Sequence, residues 1–123
     1  MPPEILEKLV EFVKTYLPYT DKDLIKKYLE EHNVYHTLYY AIDEQGEIVG
    51  VCRWNISEDS KTAHILDLAI RPDFRNQGVG KDFLKRGLSL WKNVTHLVFE
   101  RGSRGDKRER RIPIEAILKR NIF

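Results

Sequence analysis

Ile5, Leu6, Leu9, Val10, Phe12, Val13 and Leu17 recur at helical spacing behind a Pro-Pro start, and Pro18 closes the run, so this segment reads as one amphipathic helix. Thr20 and Asp21 offer caps for a second helix, with Leu24, Ile25, Tyr28 and Leu29 on its inner face. The period then changes. "YHTLYYAI" is dense in aromatic and branched residues, "EQG" supplies a turn, and "EIVGVCRWNI" reads as the hairpin partner. After the turn "SEDSK" come "TAHILDLAI" as a third strand, Val79 to Trp91 as a third helix and "THLVFE" as a fourth strand. A crossover helix between the last two strands predicts that they are parallel. Pro113 suits the first position of a short terminal helix, with Ile114, Ile117 and Leu118 facing inward. The expected fold is α+β: a mixed, mainly antiparallel sheet of four strands with one parallel pair, covered by helices. Residues 1–123 form one domain, with two helices in 1–33, the sheet in 34–101, and a basic loop and short helix in 102–123.

Composition narrows the function classes. The 123 residues suit a single core, and 21 basic against 19 acidic residues give a net charge of +2. That balance gives no bulk reason to expect nucleic acid or a membrane as partner. Cys52 is the only cysteine, which excludes an internal disulfide and a cysteine-only zinc site. His32 and His36 have one-turn spacing but leave a helix for a strand and lack the glutamate of a zinc-protease motif, so no metal is expected. The start lacks the apolar core of a leader, and no apolar run approaches the roughly 18 residues of a spanning helix. These features point to a cytoplasmic location.

The stretch "IRPDFRNQGVGKDFLKRGLSLW", residues 70–91, carries the chemistry. As a Walker loop it fails, since Arg75 stands at the first glycine position and Asp82 at the last. As a dinucleotide fingerprint it fails too, because Phe83 replaces the third glycine. Its glycines, 78 and 80, still let backbone approach an anion, and the first amides of a helix lack intrahelical acceptors. Arg75 adds a planar charged donor.

The pattern Arg-x-x-Gly-x-Gly in "RNQGVG", directly after "LAIRPDF", resembles the acyl-coenzyme-A signature of the GNAT acyltransferase superfamily. The resemblance covers about residues 20 to 101 and is specific from Ile65 to Leu88. It implies that acetyl-CoA is the co-substrate and that the parallel pair flanks the coenzyme site. The pantetheine arm would pair with backbone groups of Leu68, Ala69 and Ile70. The pyrophosphate would meet the amides of Asn76, Gln77, Gly78, Val79 and Gly80, with Arg75 at its rim and Lys81 or Lys85 reaching the nucleotide's phosphates.

The implied reaction is direct acetyl transfer to a primary amine of an unidentified acceptor. An alkylammonium titrates near ~10.4, so a base must deprotonate it at neutral pH. By register with the family, His64 takes the place of a glutamate base, and a free imidazole titrates near ~6.5, which suits the task. Asp67 is the second candidate base, and a backbone amide near Ile70 would stabilise the oxyanion.

Other features depart from the family. No tyrosine follows Tyr40, so the usual acid for the departing thiolate is missing, and Ser103 is a poor substitute. Arg101 to Arg111 carries six basic residues against Asp106 and Glu109, a segment that could hold an acidic acceptor, phosphates or nucleic acid. Lacking the usual first strand and closing hairpin, the sheet is expected to leave "HLVFE" and "RIPIEAIL" uncovered, which predicts a homodimer through Arg110 to Phe123. A coenzyme-binding or assembly module without efficient chemistry is the alternative reading.

Overall fold

The computed structural model describes residues 1–101 and 108–119. Helices α1 (Pro3–Tyr16) and α2 (Lys22–Val34) precede strands β1 (Leu38–Ile42), β2 (Ile48–Ile56) and β3 (Thr62–Ile70). A 3-10 turn at Pro72–Phe74 leads into α3 (Val79–Leu90), then β4 (His96–Arg101), β5 (Arg108–Pro113) and α4 (Ile114–Lys119). The strands form one sheet in the order β1-β2-β3-β4-β5, antiparallel except for the β3–β4 pair. Among the described residues no helix is long and apolar enough to cross a membrane.

The two sheet faces are buried differently. On one face, Leu9, Val10 and Val13 of α1 and Ile25 and Leu29 of α2 pack against Leu38 and Val51. On the other, Trp54, Ala63 and Leu97 are covered by Phe83 and Leu84 of α3 and Ile117 of α4. Alternation along the strands sends successive side chains to opposite layers. Close approach of α3 depends on Gly87, since a Cβ there would run into the indole ring of Trp54.

Asp21 caps α2 as expected, accepting from the Asp23 and Leu24 amides at 3.0 and 3.2 Å. Leu24 departs from expectation: it is 62% exposed, because the buried stripe of α2 runs through Ile25 and Leu29. A step of one residue is 100° around a helix, which takes Leu24 off that stripe.

Two expectations about the end of the chain are corrected. Arg108–Pro113, read as basic loop and helix start, is a fifth strand pairing with β4 from His96↔Pro113 to Arg101↔Arg108. Pro113 therefore ends a strand, and α4 begins at Ile114, whose N–H donates to the Thr95 carbonyl at 2.9 Å. Leu97 and Val98 are buried within the chain. The ground for expecting a partner copy over "HLVFE" is thereby removed, since β5 pairs with β4 and Ile112, Ile114 and Ile117 pack on the chain's own sheet. Ser103 and the middle of the basic segment, residues 102–107, lie outside the described residues, as do 120–123.

Candidate active site

Strands β3 and β4 diverge. Their pairing covers only Thr62↔His96, Ala63↔Leu97 and His64↔Val98, although β3 continues to Ile70 and β4 to Arg101. On its other edge β3 stays paired with β2 up to Gly50↔Ile70. The Arg71 N–H donates to the Val49 carbonyl at 2.8 Å, which fixes the phase of that ladder. By the two-residue period of an antiparallel pair, Ala69 and Asp67 direct their backbone groups to β2, whereas Leu68 and Ile70 direct theirs into the gap beside β4. Of the three backbone positions expected to meet pantetheine, Leu68 and Ile70 thus face the gap and Ala69 does not.

The mouth of the gap is the turn 71–78. Arg71 Nε donates to Asp73 Oδ1 at 2.7 Å, and its Nη2 donates to Asp43 Oδ2 in the β1–β2 turn at 3.2 Å. Gln77 Nε2 donates to the Asp73 carbonyl at 2.8 Å. Asn76 and Gly78 are both left-handed, with φ of 63° and 85°. Alternating backbone of this kind turns successive amides toward one concavity. The first intrahelical bond of α3 is the Asp82 N–H to the Gly78 carbonyl at 2.9 Å, leaving the amides of Val79, Gly80 and Lys81 without a partner inside the helix. A Cβ placed on Gly78 would meet nothing within 4 Å, so the space in front of the turn is open. An extended chain ending in a diphosphate fits this combination of free strand edge and open amide cradle. Arg75 lies at the rim, with its Nε 3.4 Å from the Ile70 carbonyl, a long bond that is readily exchanged. Lys81 is half-buried on the first turn of α3.

His64 belongs to the last β3–β4 pair, at the apex of the gap, and opposite Asn55 on β2. Ala63 and Ile65 pack on the α3 side, so His64 points to the face covered by α1 and α2. Asp67 shares that face, three residues on. The register slips there, from Arg53↔Asp67 to Trp54↔Ile65, which leaves Leu66 as the extra residue of a β-bulge. Without the bulge, His64 and Asp67 would lie on opposite faces.

Asp67 is not an open carboxylate. Its Oδ2 accepts from Arg53 Nε at 2.7 Å and its Oδ1 from the Tyr19 hydroxyl at 2.7 Å, and the residue is buried. Both oxygens are committed, which disfavours the role of base and makes Asp67 the link between β2, β3 and the α1–α2 loop. The Arg53 guanidinium stacks over the Tyr28 ring at 4.1 Å, and its Nη1 lies 3.4 Å from His32 Nε2. Burial and then the Arg53 charge push the His32 imidazole below its ordinary value, and its Nδ1 lies 2.8 Å from Thr37 Oγ1. Burial first, then the hydrogen bond to Asp67, pushes the Tyr19 phenol up.

Sequence reading missed Arg53, Tyr19, Arg71 and Asp43. One signal was available for Arg53: it continues the inward series Val49, Val51, and a charge at an inward position requires a buried partner. Nothing local marks Tyr19 or Asp43, whose partners lie 48 and 28 residues away.

The model of the acetyltransferase (GNAT) family matches residues 5–101. The chain belongs to the GNAT family. GNAT enzymes use acetyl-CoA as co-substrate, in agreement with the shape of the gap. Solved structures share the GNAT fold. An aminoglycoside 6'-N-acetyltransferase complexed with coenzyme A superposes with a TM-score of 0.64 at 14% identity, covering 80% of this chain and 56% of that one. Ard1 from Thermoplasma volcanium gives a TM-score of 0.64 at 24% identity, covering 86% and 71%. AAC(6')-Iy in complex with a bisubstrate analog gives 0.63 at 19%, covering 85% and 78%. No curated protein matches the chain by sequence. This GNAT chain thus spans little more than half of the aminoglycoside enzyme.

Proposed function

We propose that the protein transfers an acetyl group from acetyl-CoA to a primary amine. The observation that carries this reading is the β3–β4 gap, lined by outward backbone of Leu68 and Ile70 and closed by the turn at Gly78. The co-substrate supplies an activated thioester carbonyl. The amides of Asn76 to Gly80 hold its diphosphate, helped by the positive end of α3, and Arg75 and Lys81 neutralise the remaining charge. Leu68 and Ile70 align the pantetheine as an added strand would be aligned.

At the apex His64 removes a proton from the acceptor ammonium, and the freed amine attacks the carbonyl. Of the two gap-facing N–H groups, that of Leu68 is nearer to His64 and donates to the oxygen on which negative charge develops, whereas Ile70, six residues from His64 and on the order of 20 Å along β3, is left to the pantetheine. A thiol titrating near ~8.5 leaves without strong acid assistance, so the absence of a tyrosine after Tyr40 is compatible with turnover. Asp67 positions Tyr19 and Arg53 beside the acceptor rather than exchanging protons.

Calorimetric titration with CoA and acetyl-CoA, followed by mass spectrometry after incubation with acetyl-CoA and an amine and peptide panel, tests this reading. Saturable coenzyme binding and products heavier by one acetyl group are expected. Absence of coenzyme binding would overturn the proposal, and binding without any product would favour the coenzyme-binding module.

A further inference from the structure

A cavity of about 460 Å³ opens beside the α1–α2 loop, lined by Tyr19, Asp21, Leu24, Tyr28, Glu31 and Arg53 among others. We infer that it receives an apolar substituent of the acceptor, so that the protein selects amines bearing an aliphatic or aromatic group the size of a leucine or phenylalanine side chain. This rests on the amine-acetylation reading above.

The lining argues for that class. The Tyr19 and Tyr28 rings meet edge-on at 5.6 Å between centroids and form an aromatic wall, with Leu24 exposed at its edge. Arg53 offers no open charge to an anion, because Asp67 holds its Nε and Tyr28 underlies its guanidinium. Of the remaining charges lining the cavity, Asp21 and Glu31 outnumber Lys27. That balance favours a cationic amine over an acidic acceptor. Position agrees as well. Arg53 and Asn55 share a face of β2, and Asn55 pairs with His64, so the proposed base lies two residues along and one strand across from the cavity wall, on the order of 8 Å at the usual rise and strand spacing. A short alkyl spacer covers that distance between an apolar group in the cavity and a nitrogen at His64. The sequence points the other way for Leu24, which its spacing places on the inner face of α2.

Steady-state acetylation of ethylamine, butylamine, isopentylamine and phenethylamine provides the test. The expected result is kcat/KM rising on the order of fourfold per buried methylene. In Leu24→Asp the rise should flatten, with coenzyme affinity retained as evidence of an intact fold. Independently of turnover, phenethylamine added to the CoA-saturated protein should shift the backbone amide signals of Tyr19, Leu24 and Tyr28. Equal rates along the series with no such shifts would overturn the inference and leave acetyl transfer standing. Shifts without any acetylated product would support the binding site and count against acetyl transfer. A dimer that Leu24→Asp dissociates would assign the surface to a second copy and overturn the inference.

Discussion

The guanidinium of Arg53 and the carboxylate of Asp67 meet in register across β2 and β3 at 2.7 Å, with side chains only 14% and 6% exposed. A buried pair of this kind contributes little net stability compared with apolar residues, but losing one member strands the other. Asp67→Ala is therefore expected to destabilise the fold by about 3–5 kcal/mol, and Arg53→Met with Asp67→Leu to recover most of that loss. Urea denaturation of the three proteins measures both effects. Similar stability of the single and double variants would contradict the stranded-charge account.

The turn at Gly78 separates backbone strain from charge. Asparagine and aspartate both tolerate a left-handed φ, so Gly78→Asn and Gly78→Asp should be similarly stable. Only the aspartate places a negative charge in the open space before the α3 amides. CoA affinity by calorimetry should fall at least tenfold further in Gly78→Asp than in Gly78→Asn. Equal affinities would move the diphosphate away from this turn.

Removal of the proposed base has a narrower signature. His64→Ala should lower turnover by about 10² to 10⁴ while leaving coenzyme affinity nearly intact. A rate and pH profile matching wild type would exclude His64 as the base.

Alkaline pH should destabilise the protein from about pH 9 upward. Burial pushes the Cys52 thiol up to about 12 from 9.0 and the Tyr39 phenol up to about 12 from 10.0. Below about pH 9 the folded and unfolded chains hold these protons equally. Above it the unfolded chain releases them first, so stability falls as pH rises toward 12, by up to about 1.4 kcal/mol per pH unit for each group titrating. Urea midpoints between pH 8 and 11 should show the decline, shallower in Tyr39→Phe. A thiol reagent should leave Cys52 unmodified in the folded protein.

Local pattern determined much of this molecule. Helical spacing of Leu6, Leu9, Val10 and Val13 placed α1, the capping carboxylate of Asp21 placed the start of α2, and "TAHILDLAI" coincides with β3 from its first residue to its last. The run from Arg75 to Gly80 was legible through its resemblance to the GNAT signature, since two glycines and an arginine at a strand-to-helix junction suit a tight turn as well as an anion cradle. Tertiary structure decided the rest. "RERRIP" carries one large apolar side chain, Ile112, and so shows no strand periodicity of its own; it becomes β5 because β4 offers a free edge. The slip at Leu66 turns Asp67 onto the face of His64, although a period of two would separate them. Tyr19 reaches Asp67 across 48 residues for the same reason. Periodicity records which side of its own element a residue occupies, whereas partner, register and bulge are set by contacts between elements that no local window contains.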